Sequence, residues 1–292
     1  MSAIFIRGMQ GLGDNIYQRS VLREITAERD VYLETPWPQL YRDLPVQCVP
    51  RLTKLRTQAK NVMRTDLAWG KPPPSALPLT NLHYVNRPGS VIAALLEAYG
   101  IQRERLTFDL PRFEPLPARR PYIVMRPSTL RHEWMAASRN PRSEYLVLAS
   151  EKLRRYFHIV SVADLAAVEW ADGPLPYADE VFHKGELRVE QLLALIAGAA
   201  GVVGGVGWIV PAAIAYGVPL CLIYGGWGAH NGPARILDYR LNLENVYQIL
   251  PDRFCLCANR AHTCDKTISD IDRRLDEWAI RLATRREAAM VA

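Results

Sequence analysis

The chain has 292 residues, about the length of two ordinary domains, and 49% of them are hydrophobic against 23% charged, which excludes disordered and fibrous proteins. Its 36 basic and 30 acidic residues leave a net charge of +6, which permits an anionic partner without requiring one. Apolar runs are all shorter than the roughly 18 residues of a membrane helix, and the opening MSAIFIRG lacks a signal-peptide pattern. We therefore expect no transmembrane segment and a cytoplasmic location.

The first 110 residues alternate short apolar runs with stretches of helical periodicity. Strands are predicted at 3–8, 31–35, 46–50 and 82–86, and helices at 14–27, 51–64 and 90–99. Between them, GKPPPSALPLT at residues 70–80 predicts a proline-rich loop. This alternation is typical of a parallel α/β sheet.

Four prolines at residues 110–121 predict an interdomain linker, which divides the chain into domains at residues 1–112 and 113–292. The alternation then starts again. Strands are predicted at 122–125, 157–162, 201–205 and 218–224, and helices at 143–156, 189–199, 209–216 and 269–290. Ser269 and Asp272 have the spacing of a capping box at the start of the last helix. Two such series predict an α/β protein with two Rossmann-like domains that face a cleft.

A glycine-rich loop, GMQGLGDN at residues 8–15, follows the first strand directly. Its spacing is not the GxGxxG of dinucleotide-binding proteins, so a dehydrogenase is poorly supported. The loop places Asp14 at a helix N-terminus on the edge where open α/β sheets bind ligands. Asp14 is therefore a candidate helix cap, a candidate general base, or both.

The segment GLGDNIYQRSVLREI resembles the opening of the ADP-heptose:lipopolysaccharide heptosyltransferase-like enzymes, glycosyltransferase family 9. Two later segments, YIVMRPSTLRHEW and ELRVEQLLALIAGAAGVVGGVGWIVPAAIAYGVPLCLIYGG, are similar to that family in order. The resemblance implies a GT-B fold of two parallel-sheet domains, with a C-terminal helix packing back. It also implies a nucleotide-sugar on the C-terminal domain, no catalytic metal, and Asp14 as the base. Gly11, Gly13 and Asn15 of the glycine-rich loop are candidate acceptor-binding residues.

The chain departs from the family in one segment. Counting back from Gly217, the family's acidic residue, Ser/Thr, Gly and His fall at Val206, Gly207, Trp208 and Pro211. Backbone N–H groups near Gly207 and Trp208 can still meet a diphosphate at a helix N-terminus. The lost side chains argue against an ADP-heptose donor and are compatible with a lost activity.

An arginine-rich loop at residues 126–144 follows the first strand of the second half. Guanidinium and hydroxyl groups at a strand's carboxyl end suit the charge that develops on a departing diphosphate. The alternative is an ordinary solvated loop. The donor-binding candidates are Arg126, Ser128, Thr129 and Arg131 here, Gly207 and Trp208, and Gly225, Gly226 and His230 after the last matching strand.

Residues 51–71 hold six basic residues against one acidic residue, a net charge of +5. Arg56, Lys60 and Arg64 recur every four residues and share one helix face. On the acceptor domain this face would meet an anionic acceptor; alternatively it is a solvated helix surface. Two acceptors fit: the phosphorylated core of lipopolysaccharide, and DNA carrying a hydroxymethylated base. DNA is slightly preferred because no apolar membrane-binding helix is present.

The segment FCLCANRAHTCDK contains Cys255, Cys257 and Cys264 with His262 nearby. Three thiols and an imidazole can form a structural zinc site, although the usual C-x2-C spacing is absent. A disulfide and free buried thiols are the alternatives.

These features together predict a metal-independent inverting glycosyltransferase that moves a sugar from a nucleotide-sugar to a hydroxyl of an anionic polymer. The preferred acceptor is DNA, and a heptosyltransferase-like glycan enzyme is the alternative. Two competing hypotheses are a non-catalytic nucleotide-sugar-binding module and a DNA-binding structural protein. The sequence leaves the oligomeric state open.

Overall fold

The computed structural model describes residues 2–291 apart from 76, 82, 86, 118–119, 131–132, 134–136 and 167–169, and it describes no side chains for 287–291. The first domain is built on a four-stranded parallel sheet in the order β3-β2-β1-β4. Its strands are β1 (Ser2–Arg7), β2 (Arg29–Thr35), β3 (Val46–Pro50) and β4 (Leu79–Asn81). Its helices are α1 (Leu12–Ile25), α2 (Arg56–Arg64) and α3 (Val91–Tyr99).

The second domain is built on a six-stranded parallel sheet in the order β10-β9-β8-β5-β6-β7. Its strands are β5 (Tyr122–Arg126), β6 (His158–Val162), β7 (Glu180–Phe182), β8 (Gly201–Gly204), β9 (Leu220–Ile223) and β10 (Val246–Ile249). The central strands β5, β8 and β9 are buried along their whole length, as their nearly continuous apolar sequences predict for a parallel sheet covered on both faces.

The helices of the second domain are α4 (Ser143–Leu153), α5 (Val189–Ala197), α6 (Ile209–Tyr216), the short α7 (Gly228–Asn231) and α8 (Pro233–Ile236), and α9 (Ile271–Val291). Through Leu275, Trp278 and Leu282, α9 packs back on the second sheet, in the same apolar cluster as Ile123. The predicted α/β architecture of two parallel-sheet domains is therefore confirmed. The division at residue 112 stays a prediction.

One predicted strand and one predicted helix differ in position from the observed elements. The strand predicted at 82–86 is wrong: the pairing strand is Leu79–Asn81, and residues 83–85 leave the sheet toward the cleft, while 82 and 86 lie outside the described residues. The helix predicted from residue 51 begins only at Arg56, because the chain before it is extended and the Thr53 hydroxyl accepts a hydrogen bond from the Leu55 backbone N–H. The short strands β7 and β10 were not predicted.

The two domains share a continuous apolar core. Ile16 and Val21 of α1 lie in one buried cluster with Val210 and Ala213 of α6. The loops before these helices approach so closely that a Cβ added at Gly13 would lie 3.0 Å from the Cα of Trp208. The close packing of α1 against α6 holds the carboxyl ends of the two sheets toward one another.

Among the helices in the described part of the chain, none has both the length and the apolar character needed to cross a membrane.

Candidate functional site

A cleft of about 520 Å³ lies between the two domains, and loops at the carboxyl ends of strands from both sheets line it. The first domain contributes the glycine loop after β1 and the segment after β4. The second contributes the loops after β5, β6, β7, β8 and β9. Ligands of open parallel sheets bind at this edge, so the cleft is the candidate site.

The glycine loop places Asp14 on the cleft, beside Gly11 and Gly13, which also line it. Helix α1 begins at Leu12 with Gly11 at the N-cap, and Asp14 lies in the first turn. The prediction that Asp14 is the cap residue is therefore wrong. The carboxylate still lies near the helix N-terminus, where the partial positive charge favours its ionised form.

Tyr84 contacts the Asp14 carboxylate directly. Its hydroxyl donates a hydrogen bond to Asp14 Oδ1 at 2.8 Å. Burial raises the pKa of Asp14 above its ordinary value, while the Tyr84 hydrogen bond and the positive charge of Arg139 act in the opposite direction. A carboxylate with a raised pKa is a better proton acceptor than an exposed one.

Arg235 of the second domain holds the segment that carries Tyr84. Its guanidinium donates to the Tyr84 carbonyl oxygen at 2.7 Å and to the Arg87 carbonyl oxygen at 2.8 Å. The same guanidinium lies 5.1 Å from the centre of the Tyr84 ring. A residue of the second domain thus fixes the partner of the Asp14 carboxylate.

Asn15, predicted to bind the acceptor, does not line the cleft. Its side chain is buried beneath the glycine loop, where Nδ2 donates to the carbonyl oxygens of Met9 and Gly11 at 2.7 and 2.8 Å. Its Oδ1 accepts hydrogen bonds from the hydroxyls of Thr35 and Tyr41, both at 3.0 Å. The Asn15 amide therefore shapes the loop, and the buried position leaves it no direct contact with a ligand.

Arg126, the last residue of β5, and Thr129, in the loop after β5, line the cleft from the second domain. The Arg126 guanidinium is largely buried, donates to the Thr129 hydroxyl at 3.1 Å, and lies against the backbone of Gly207. Gly207 and Trp208 line the cleft at the start of α6. A guanidinium beside the N-terminus of a helix forms a place suited to an anion.

Two other residues predicted to bind the nucleotide-sugar are not among the described residues that line the cleft. Ser128 lies behind the cleft lining, and its hydroxyl donates to the Pro141 carbonyl oxygen at 3.3 Å. Arg131 lies outside the described residues. Arg139, on the same loop, lines the cleft and acts on the charge of Asp14.

The loop after β9 contributes His230 and Asn231 to the cleft lining. Gly225 and Gly226, also predicted to bind the donor, lie behind it, against the backbone of residues 138–140 and the side chain of Cys264. Side chains at these two positions would collide with those neighbours. Their observed role is therefore close packing.

The basic face of α2 points into the cleft region and contacts the second domain. Asp164, whose side chain is only 8% exposed, accepts hydrogen bonds from Arg56, from the Thr57 hydroxyl at 2.8 Å and from Lys60 Nζ at 3.0 Å. Burial would raise the pKa of Asp164, but these donors outweigh it and hold the pKa below its ordinary value. The face is thus neither a freely solvated surface nor a set of unpaired charges.

Arg64 continues the same contact, donating to the Gly185 carbonyl oxygen at 2.7 Å. Lys60 and Arg64 line the cleft, whereas Arg56 lies behind its lining.

Cys255, Cys257, His262 and Cys264 come together on the far side of the loop that carries His230. Their four ligand atoms all lie within 4.8 Å of one another, and the three cysteines are free thiols.

Sequence reasoning missed Tyr84 and Asp164 as residues of this region. Each follows a strand at its carboxyl end, which is the only local signal of their position. Their partners lie 70 and more than 100 residues away along the chain, so the pairing itself has no sequence signal.

The chain matches no protein-family model and no curated protein, but solved structures share its fold. The chain is similar to ADP-heptose lipopolysaccharide heptosyltransferase II of E. coli, with 16% identity and a TM-score of 0.60. The match covers 98% of this chain and 99% of that enzyme. A family 9 glycosyltransferase from Veillonella parvula DSM 2008 matches 97% of this chain and 98% of its own length, with 14% identity and a TM-score of 0.61.

A third structure is the iron-containing dodecameric glycosyltransferase TibC of enterotoxigenic E. coli H10407. The match covers 99% of this chain and 77% of TibC, with 12% identity and a TM-score of 0.62. At these identities the likeness concerns the fold. The chain thus has the two-domain GT-B fold of the heptosyltransferases, as the sequence resemblance implied.

Proposed function

We propose that the protein transfers a sugar from a nucleotide-sugar to the hydroxyl of an acceptor, with inversion at the anomeric carbon. The observation that carries this proposal is one cleft lined on one side by the Asp14 carboxylate and on the other by Arg126 and Arg139. A base and a cationic anion site facing the same space are what a single displacement requires. The shared fold supports the assignment.

In the proposed reaction, Asp14 accepts the proton of the acceptor hydroxyl as its oxygen attacks the anomeric carbon. The new bond joins that oxygen to the anomeric carbon, and the bond from this carbon to the diphosphate oxygen breaks. The nucleoside diphosphate leaves with the electron pair. Arg126 and the backbone N–H groups near Gly207 stabilise its charge.

We propose no catalytic metal, because arginines supply the positive charge that a metal would otherwise bring to the diphosphate. Related folds have been solved with ADP-2-deoxy-2-fluoro heptose and with ADP-D-beta-D-heptose. ADP-sugars are therefore the first donors to test here, although the acidic and histidine side chains of the family are absent at Val206 and Pro211.

For the acceptor we propose an anionic hydroxyl compound, with a phosphorylated glycan and hydroxymethylated DNA as the two candidates. The slight preference for DNA rests on the lack of an apolar membrane-binding helix, and the expectation of an anionic acceptor rests on the basic face of α2. Arg56 and Lys60 are ion-paired with Asp164, so that face offers less free charge for phosphates than its sequence indicates. A glycan acceptor therefore fits at least as well. We place the reaction in the cytoplasm, in keeping with five unpaired thiols.

The test is release of nucleoside diphosphate from a panel of ADP-, UDP- and GDP-sugars, with and without each acceptor. Asp14→Ala should abolish transfer and leave nucleotide binding intact, measured by calorimetry. Asp30→Asn, an exposed change on β2, is the matched control and should behave like the wild type.

Normal turnover by Asp14→Ala would show that Asp14 is not the base. Binding of a donor without turnover for any acceptor would instead identify a nucleotide-sugar-binding module. A mobility shift of plain DNA tests the structural DNA-binding alternative, and absence of a shift at low salt would remove both that alternative and the DNA acceptor.

A further inference from the structure

Four side chains with metal-binding atoms converge at the edge of the second domain, outside the cleft. The Cys257 and Cys264 sulfurs are 3.5 Å apart, the Cys255 sulfur lies 3.5 Å from His262 Nδ1, and Cys264 lies 3.4 Å from the same nitrogen. All four ligand atoms lie within 4.8 Å of one another.

These separations can be compared with a tetrahedral metal site. With metal–sulfur bonds of about 2.3 Å and metal–nitrogen bonds of about 2.0–2.1 Å, two sulfurs lie about 3.8 Å apart and a sulfur and a nitrogen about 3.5 Å apart. The observed contacts are within a few tenths of an ångström of both values. These three contacts have the spacing of neighbouring ligands in a Cys3His site, and the remaining separations stay within 4.8 Å.

The surrounding chain has little structure of its own to hold these groups together. From β10 to α9, residues 250–270 form neither helix nor strand. Long irregular segments of this kind are uncommon in compact domains, and a cross-link is one way to fix them. A disulfide would join two of the three thiols and would not involve the third thiol or the imidazole.

We propose that Cys255, Cys257, His262 and Cys264 bind a single thiophilic transition-metal ion, zinc or iron in its divalent state, and that this ion fixes the wall of the cleft. The role follows from the contacts of the segment. Gly228 N donates to the Cys255 carbonyl oxygen at 2.9 Å, and the Trp227 indole donates to the Ala258 carbonyl oxygen at 2.9 Å. Both donors precede His230, which lines the cleft.

The same segment also supports the turn that carries Arg139. The Ser138 hydroxyl donates to the Arg260 carbonyl oxygen at 2.6 Å, and Lys266 Nζ donates to the Ala137 carbonyl oxygen at 2.8 Å. Of the four hydrogen bonds in this and the preceding paragraph, three are accepted by backbone carbonyl oxygens of residues 255–260. An ion that fixes the segment would therefore hold two neighbouring walls of the cleft in place.

The experiment is elemental analysis of the full chain, purified under reducing conditions without chelators. We expect about one zinc or iron ion per chain, as for a closed structural site. Cys257→Ser and His262→Ala should lose most of the metal. Arg260→Ala is the matched control: it lies in the same loop, its side chain is exposed, and only its backbone carbonyl is used.

His262 is exposed, so its replacement tests the site with little risk to folding. A second measurement compares the wild type with Cys257→Ser: a strong chelator should lower the melting temperature of the wild type and should have no further effect on that of Cys257→Ser. A metal-free chain whose intact mass is lower by two hydrogens would overturn the proposal in favour of a disulfide. Equal metal content in His262→Ala, Cys257→Ser and the wild type would overturn it as well. Neither readout depends on sugar transfer.

Discussion

The Tyr84 hydroxyl donates to Asp14 Oδ1 at 2.8 Å, and Arg235 of the other domain holds the Tyr84 carbonyl oxygen at 2.7 Å. The candidate base therefore has a hydrogen-bond partner whose position depends on both domains. Because the hydroxyl stabilises the charged carboxylate, it lowers the pKa that burial raises. The pKa of Asp14 therefore depends on a hydrogen bond that residues of both domains position.

Tyr84→Phe removes this hydrogen bond and keeps the ring under Arg235. The pKa of Asp14 should rise, so the acid limb of kcat/KM against pH should move to higher pH by roughly one to two pH units, since a hydrogen bond to a charged group contributes about 1.5–3 kcal/mol. Tyr239→Phe, on an exposed ring, is the control and should leave the profile unchanged. A profile in which the acid limb stays in place or moves to lower pH would contradict the role of Tyr84.

Arg126→Gln tests the proposed diphosphate site. Loss of a charge-assisted hydrogen bond costs about 1.5–3 kcal/mol, so the Kd for a nucleoside diphosphate should rise by roughly 10-fold or more. Arg142→Gln removes an exposed arginine that follows the same loop and bonds to Thr267 outside the cleft. Calorimetric titration with ADP and UDP should find wild-type affinity in Arg142→Gln. Equal weakening in both variants would indicate a general charge effect.

Asp164→Ala tests the contact between α2 and the second domain. Removing the shared acceptor leaves Arg56 and Lys60 without their buried partner, and we expect a loss of about 1–3 kcal/mol in the free energy of unfolding. Asp66→Ala is the control, because Asp66 pairs with Arg188 at 2.6 Å but is 81% exposed; its loss should stay within about 1 kcal/mol.

The pH dependence of this contact has a definite sign. The pKa of Asp164 is lowered in the folded chain, so its stabilisation is fully present above the ordinary aspartate pKa of about 3.9 and is lost as the pH falls through the lower folded value. Melting curves should show a constant difference between wild type and Asp164→Ala from neutral pH down to about pH 5, and a shrinking difference below about pH 4. A difference that grows in acid would contradict the assignment.

The positions of most strands could be predicted from the sequence, since apolar runs bounded by glycine and proline are local signals. The buried strands at 122–126 and 220–223 are examples. The strand predicted at 82–86 is wrong because Tyr84 points to the cleft and bonds to Asp14. The residues that pair with β1 are instead Leu79–Asn81. A local pattern does not distinguish an aromatic residue that packs in a sheet from one that lines a cleft.

The partners within the site could not be predicted, because they are set by packing between the domains. The spacing of Arg56, Lys60 and Arg64 placed them correctly on one helix face. What that face meets is decided by Asp164, more than 100 residues later. The segment with Cys255, Cys257, His262 and Cys264 is the opposite case: these four side chains lie within ten residues, so their proximity is visible in the sequence.

Gly13→Ala tests how closely the domains must approach. The added methyl would lie 3.0 Å from the Trp208 Cα, a backbone atom that cannot rotate away, so the loops before α1 and α6 must move apart. Overpacking of this kind costs about 1–3 kcal/mol, and the melting temperature should fall accordingly. Gly11→Ala is the comparison, because its methyl would meet the Asp14 side chain and not the other domain. It should reduce turnover with a smaller change in melting temperature, and identical melting of Gly13→Ala and wild type would refute the close approach.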